Sequence, residues 1–144
     1  MIKSIPLICA VCFVFGVISC GIGCWLYTRE SDVNRLVEYS RSGDLEGVKK
    51  LINEGVDPSR EWSSNDFLFG ANALYEAASH GHLEVVKEIY EYDNNVNYVF
   101  GTETVLEAAI RKEKMAGDVV EYLKEKGALT LPELNRQRKK RSVE

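Results

Sequence analysis

Two histidines and four cysteines are the residues best suited to metal binding or covalent catalysis, and their spacing argues against both. His80 and His82 are the only histidines. Because they lie two positions apart around a turn, they do not share a helix face and make a weak metal site. All four cysteines lie in one apolar stretch near the N-terminus: Cys9, Cys12, Cys20 and Cys24. The sequence also lacks a Gly-rich phosphate loop and a nucleophile elbow. We therefore expect no enzyme, no metal and no cofactor.

Aromatic side chains in two loop-like stretches are better suited to binding another protein. Both stretches mix rings with small polar residues: Trp62, Asp66, Phe67 and Phe69 in residues 59–70, and Tyr98 and Phe100 in residues 94–102. Aromatic anchors dominate the energetics of protein interfaces, which favours a contact surface. The alternative is that the rings fold back over their own loops as satellite clusters. The recurrence of the pattern in the second stretch favours contact with a partner.

Two short helices between Gly70 and Asn97 must position these stretches. Each helix carries one apolar stripe at helical spacing: Leu74, Ala77 and Ala78 in the first, and Val85, Val86 and Ile89 in the second. Asn72 can cap the start of the first helix, and Gly81 can take the left-handed conformation that ends it. A helix pair this small cannot bury its stripe alone, which predicts copies of the unit beside it.

The copies are found by sliding the chain against itself. A shift of 38 places Leu36 on Leu74 and Gly43 on Gly81. A shift of 31 places Val105 on Leu74, whereas the next helix needs a shift of 34. The third copy therefore has three extra residues between its helices. In the first copy, Gly47 lies inside a helix, where we interpret it as a tolerated weak position.

Two strings, Arg41 to Pro58 and Ala77 to Lys87, closely resemble the ankyrin repeat, and the resemblance extends over roughly residues 31 to 128. The Thr-Pro-Leu-His signature of that family is altered in every copy: Asn34-Arg-Leu-Val37, Asn72-Ala-Leu-Tyr75 and Glu103-Thr-Val-Leu106. The departure predicts fewer polar ties between neighbouring repeats. The family also has a structural histidine at the position of His82.

The resemblance implies an all-α fold, a short ankyrin-repeat solenoid of about three helix pairs with projecting finger loops. The repeats would span residues 34–59, 70–97 and 101–128 of a domain at 31–130, with Ser31 or Asn34 capping the first helix. In such a solenoid the first helix of each pair lines a concave face. Tyr75 and Glu76, with Ser79 and Glu107, would lie there, and the two aromatic stretches would be the fingers.

An uncharged N-terminal segment predicts a membrane location. Residues 5–27 contain 23 residues without a charge, after a short basic start at residues 1–4, and about 20 apolar residues span a bilayer as a helix. One interpretation is an uncleaved transmembrane anchor. A second is a lipoprotein signal, because Val17-Ile18-Ser19-Cys20 resembles a lipobox with Cys20 lipidated, and a third is a secretory signal that is fully removed. We favour the anchor, since Gly21 to Tyr27 stays apolar.

The orientation of this segment is not decided by the positive-inside rule. Lys3 lies on one side, and Arg29, Arg35 and Arg41 lie on the other. A short basic start before an apolar run is typical of export signals. We therefore favour the exported side of the membrane, periplasmic or cell-surface, over the cytoplasmic side.

Charge restricts the class of partner. From Thr28 to Asn135 there are 12 Lys and Arg against 21 Asp and Glu, a net charge of −9. This disfavours nucleic acid and favours a basic protein or peptide. Residues 131–144 are predicted to be a C-terminal cap, with Pro132 in the first turn of a last helix, followed by a basic tail. The tail is either solvated, or attracted to anionic lipid or to the acidic body of a second copy.

These observations predict a membrane-tethered module that binds one protein partner. In the favoured form it is a bacterial envelope protein that resembles small anchored immunity or stress-protection factors. In the alternative form it is a scaffold or adaptor that faces the cytoplasm, with its basic tail on anionic lipid. The sequence contains no motif that indicates a small-molecule substrate.

Overall fold

The computed structural model describes residues 32–63 and 69–142, without the side chains of residues 62, 63, 69, 70 and 113–115. Three helix pairs, two hairpins and a last helix follow one another in this part of the chain: α1 (residues 32–42), α2 (Leu45–Asn53), β1 (Glu61–Ser63), β2 (Phe69–Asn72), α3 (Ala73–His80), α4 (Leu83–Tyr92), β3 (Val99–Phe100), β4 (Glu103–Thr104), α5 (Val105–Arg111), α6 (Glu113–Glu125) and α7 (Leu131–Arg141).

The helix pairs stack in chain order. The first helices α3 and α5 pack against each other, and the second helices α2, α4 and α6 pack in sequence. At matching positions of the second helices, Leu51, Ile89 and Leu123 are at most 1% exposed. Their apolar surface is thereby removed from water, which stabilises a stack that no single pair could form alone. The predicted stack of helix pairs is confirmed.

Side-chain caps explain where several helices begin. The Asn72 Oδ1 accepts the Tyr75 N–H at 2.9 Å, as predicted, and the Asp44 Oδ1 accepts the Gly47 N–H at 3.0 Å. In the third copy Thr104 is the cap, one position later than the alignment with Asn72 implies. The cap predicted at Asn34 is wrong, because residues 32–42 are already helical there. Ser31 lies outside the described residues.

In the first two pairs a glycine forms the turn between the two helices, and in the third pair another residue takes this place. Gly43 and Gly81 have φ of +78° and +80°, the left-handed conformation in which a side chain is strained. At the corresponding place in the third copy, Lys112 has φ of −105°. The three extra residues there precede a break in α6 at Ala116, whose φ of −128° and ψ of 20° are not helical.

Gly47 corrects another expectation from the sequence. A Cβ at this position would lie 2.6 Å from the Tyr39 Cδ2 and 2.7 Å from the Asp44 Oδ2. Both distances are shorter than van der Waals contact, so the glycine provides space for the Tyr39 ring. The interpretation of Gly47 as a merely tolerated residue is wrong.

Both finger loops contain short antiparallel strand pairs, which the all-α prediction did not include. In the first finger Glu61 is opposite Asn72 and Ser63 is opposite Phe69. In the second finger Val99 is opposite Thr104 and Phe100 is opposite Glu103. Each hairpin ends where the next first helix begins.

The last helix covers the end of the stack and continues through the basic run. The Glu133 carboxylate accepts bonds from the Thr130 N–H and hydroxyl at 2.9 and 2.7 Å, and Leu134 is buried. Pro132 lies in the first turn, as predicted. The residues expected to be a tail, 136–141, are therefore helical.

The predicted membrane segment at residues 5–27, with Cys20, lies outside the described residues. Among residues 32–63 and 69–142, no helix has the length and apolar character needed to cross a bilayer.

Candidate partner-binding surface

The aromatic residues of the second finger face the body of the domain. The Phe100 ring lies 5.1 Å from the Tyr75 ring, centroid to centroid, with the planes tilted by 58°. The Tyr98 hydroxyl donates to the Glu61 Oε1 at 3.0 Å, and burial together with this bond raises the pKa of Tyr98. These rings therefore pack against the repeats and join the two fingers, as in the satellite-cluster alternative. Their contact with a partner stays a prediction.

Tyr75 is buried at the junction of the second and third repeats. Its side chain is 7% exposed, and its hydroxyl donates to the Glu103 Oε2 at 2.7 Å. Burial, and then the Glu103 carboxylate, raise the pKa of Tyr75 to about 12. Arg111 donates twice to Glu103, at 3.0 and 3.1 Å, and holds the pKa of that carboxyl below its ordinary value. Tyr75 thus supports the stack and offers little surface to a partner.

Glu76 joins the first and second repeats. Its carboxylate accepts from the Arg41 Nε at 3.1 Å, and the His80 Nδ1 lies 3.6 Å away. The bond to Glu76 raises the pKa of Arg41, and Arg41 also bonds to Glu38 at 3.3 Å. With a side chain only 12% exposed, Glu76 contributes a partly covered charge to the first-helix side of the stack.

Glu107, like Glu76, forms hydrogen bonds that join parts of the domain, in this case the third repeat and α7. Its carboxylate accepts from the Thr104 N–H at 2.9 Å and from the Leu131 N–H at 3.2 Å. It therefore caps α5 and holds the start of α7. The expectation that Glu107 corresponds to Glu76 is consistent with their equal, partial burial.

His82 reaches back to the first repeat. Its Nε2 lies 3.0 Å from the Arg41 carbonyl oxygen, and because a carbonyl only accepts, Nε2 carries the hydrogen. The ring packs directly against Gly43, where an added Cβ would lie 2.6 Å from the His82 Nδ1. This is a structural histidine, as the family resemblance implied. No group of three or more potential metal ligands occurs among the described residues.

Polar bonds cross both repeat boundaries: the Tyr75–Glu103 bond joins two of the altered signature positions, and the bonds of Arg41 and His82 use residues outside them. The prediction of fewer ties than the family signature provides stays a prediction, although both junctions contain such bonds. Sequence reasoning missed them because each partner lies far along the chain.

The first finger is only partly described. Trp62 lies in β1 and Phe69 in β2, so the hairpin brings their backbones together. Asp66 and Phe67 lie outside the described residues. The predicted contact role of all four residues stays a prediction.

An exposed surface remains along the first helices, and we call Glu38, His80, Ile110 and Arg111 the first-helix face. Glu38 and His80 have side chains 66% and 41% exposed. Ile110 is 37% exposed, which is unusual for a large apolar residue in this domain. Sequence reasoning missed Ile110 and Arg111, although the shift of 31 places Arg111 on His80.

A family model of ankyrin repeats, in three copies, matches residues 36–135. No curated protein matches the chain.

Proposed function

The chain belongs to the ankyrin repeat family, and from that premise we propose that it is a protein-binding module tethered to a membrane. Ankyrin repeats are typically non-catalytic and imply a protein partner in general. The observation that carries the proposal is the first-helix face, a mixed polar and apolar surface that the three stacked repeats hold in one rigid array. Such an array suits an interface in which a few exposed side chains contact a partner.

The partner that fits is a protein with a basic contact surface. Residues 32–130 carry 11 Lys and Arg against 19 Asp and Glu, a net charge of −8. A negative net charge of this size accelerates association with a basic protein and opposes association with nucleic acid. Glu38 and the partly covered Glu76 place part of this charge beside the first-helix face.

The tether in this proposal is the uncharged segment at residues 5–27, with Cys20 as a lipidation site if the lipoprotein interpretation holds. We propose that the domain lies on the exported side of a bacterial membrane and binds one partner there, in the manner of an immunity or stress-protection factor. A short basic start before the apolar run supports this side.

A second candidate is a scaffold that faces the cytoplasm and recruits a partner to the membrane. The basic half of α7 favours it, because anionic lipid attracts clustered cations near a membrane anchor. The two candidates differ in topology. A reporter that is active only outside the cytoplasm, fused after Glu144, would be active in the first case and inactive in the second. Loss of lipid labelling in a Cys20→Ser variant would identify a lipoprotein.

The binding surface is tested with variants of the full chain in mild detergent. Partners are captured from the membrane fraction of the source cell and identified, and their affinity for each variant is then titrated. The test variant truncates three members of the first-helix face to alanine: Glu38, His80 and Ile110. A matched control truncates three exposed residues of the second helices: Glu84, Tyr92 and Glu125.

We expect the first-helix variant to lose at least tenfold in affinity while the control keeps wild-type affinity. Equal affinity of the two variants would contradict a role for this face. A third variant, with Trp62, Phe67 and Phe69 truncated to alanine, tests the first finger. If it folds normally and binds every wild-type partner, the finger is not part of the interface.

A further inference from the structure

The position of α7 is set by contacts at its N-terminal end. Leu134 is buried, and the Leu131 N–H donates to Glu107 of the third repeat at 3.2 Å. The Glu133 carboxylate accepts the Thr130 hydroxyl at 2.7 Å. Because this end is held, the C-terminal half of the helix has a defined direction relative to the stack.

Helical periodicity divides the five cations of α7 into two sets. Leu134, Arg138 and Arg141 lie on an inner face that lines a groove with Asn95 and Asn97 of the second finger. The remaining cations follow the spacing i, i+3, i+4, so they share the opposite face. We call this the outer face of α7: Arg136, Lys139 and Lys140. All three are exposed, and none forms an ion pair with another residue in the described ranges.

This positive charge is separated from an acidic body. Residues 131–141 carry five cations and one acid, a net charge of +4, against −8 for residues 32–130. The outer-face cations are spread along a helix and do not converge on a pocket. Such an arrangement suits an extended anionic surface better than a single small anion.

We propose that the outer face of α7 docks on the anionic phospholipid headgroups of the membrane to which the chain is tethered. This inference rests on the proposed tether at residues 5–27. Only residues 28–31 separate that segment from α1, and four extended residues reach at most about 14 Å. The first repeat therefore stays close to the bilayer, and an anionic surface is always within reach of the domain.

The proposal fixes the orientation of the stack. α1 lies in the first repeat and α7 covers the third. Both ends touch one membrane only if the stack lies along the bilayer surface. In that orientation α7 acts as a second attachment point, and its effect multiplies that of the tether.

The magnitude follows from the number of cations. Each Lys or Arg near an anionic bilayer contributes about fivefold to the docking equilibrium, so three cations contribute on the order of 100-fold. Salt screens this attraction, so it should disappear at high ionic strength.

The test uses the full chain reconstituted into vesicles of phosphatidylcholine, with or without phosphatidylglycerol. Acylation rates of individual lysines are measured by mass spectrometry. We expect Lys139 and Lys140 to react at least tenfold more slowly in the phosphatidylglycerol vesicles. Lys112, which is exposed on the third repeat, serves as the internal reference and should react at the same rate in both kinds of vesicle.

Two matched variants separate docking from overall charge. In the first, Arg136 of the outer face is changed to Gln, which keeps the two reporter lysines and should reduce their protection about fivefold. The control carries Lys124→Gln, which removes the same charge from an exposed position of the third repeat; protection should persist.

Several outcomes would overturn the proposal. Equal reactivity of Lys139 and Lys140 in both kinds of vesicle would mean that α7 does not contact lipid. Protection that appears in phosphatidylcholine alone and rises with protein concentration would indicate a second copy of the chain as the occupant. Flotation with phosphatidylcholine vesicles tests the tether independently of the docking of α7. If flotation fails there but occurs with phosphatidylglycerol and is weakened by Arg136→Gln, the tether is wrong and the docking stands.

Discussion

The packing of His82 on Gly43 can be tested by adding a single methyl group. In Gly43→Ala the new Cβ would lie 2.6 Å from the His82 Nδ1 and 2.7 Å from its Cε1, and the backbone would have to keep φ of +78°. The left-handed conformation costs about 1–2 kcal/mol for a residue with a side chain. Displacing the ring loses its bond to the Arg41 carbonyl, for about another 1–2 kcal/mol. We expect a total loss of about 2–4 kcal/mol in the free energy of unfolding.

Gly55 provides the matched control. It also has a left-handed backbone, with φ of +86°, but a Cβ there would have nothing within 4 Å. Gly55→Ala should therefore show only the conformational cost of about 1–2 kcal/mol. The difference between the two variants isolates the contact with His82.

Urea unfolding of the full chain in mild detergent, followed by circular dichroism, measures both variants and the double mutant Gly43→Ala/His82→Ala. The three atoms nearest the new methyl group all belong to His82. Truncating that ring should remove the clash, so the double mutant should be more stable than additivity predicts, by at least about 1 kcal/mol. Equal losses for Gly43→Ala and Gly55→Ala, or strict additivity in the cycle, would refute the reasoning.

Three further predictions concern packing and pH. Gly47→Ala should destabilise the domain despite the higher helix propensity of alanine, because its Cβ would clash with the Tyr39 ring; a stabilised variant in the same urea assay would contradict this. Leu123→Ala, at a fully buried position, should cost about 2–5 kcal/mol, and a loss below about 1 kcal/mol would mean that the third repeat is loosely packed. The raised pKa of Tyr75, about 12 against an ordinary 10.0, means that the folded state holds its proton more tightly, so this stability is complete below pH 10 and is lost as pH rises toward 12. The lowered pKa of Glu103 has the opposite effect on the pH dependence. The stability that Glu103 contributes is present above pH 4.5, its ordinary pKa, and is lost as the pH falls through the lower pKa of the folded state. Tyr75→Phe should flatten the alkaline limb of the stability curve and Glu103→Gln the acid limb, and unchanged limbs would show that neither group is linked to folding.

The helical stack could be predicted from the sequence because its signal is local and repeated. The spacing of Leu74, Ala77 and Ala78 recurs in the third copy as Val105, Ala108 and Ala109, and Gly81 marks a turn that few other residues can make. These features depend on residues within one helical turn of each other. The burial of the same residues in the structure follows directly from that periodicity.

The side-chain surface could not be predicted in the same way, because it depends on contacts between repeats. From the sequence alone, an aromatic residue in a loop is equally compatible with an exposed interface anchor and with a ring that packs against the core. Phe100 takes the second role because Tyr75 lies within ring contact, 25 positions earlier in the chain. Ile110 was missed for the opposite reason, since it lies in an apolar helix and its exposure depends on where the stack leaves it.

The two repeat junctions are held by different chemistry. At the first junction a glycine, the His82 ring and a backbone carbonyl form a compact neutral contact, with the Arg41–Glu76 pair beside it. The second junction keeps the corresponding glycine, Gly81, but Ala116 stands where a histidine would reach back to it.

The second junction is held by a tyrosine–carboxylate bond and by a group of aromatic rings. The bond between Tyr75 and Glu103 acts on the first-helix side, with Arg111 holding the carboxylate. On the second-helix side the Tyr90 and Tyr122 rings meet edge to face at 6.0 Å, with the ammonium group of Lys126 over both rings. Burial raises the pKa of Tyr75 and Arg111 lowers that of Glu103, so high and low pH both weaken the bond between them. This bond helps to hold the third repeat, which carries α7, so the attachment of the basic helix depends on pH through it.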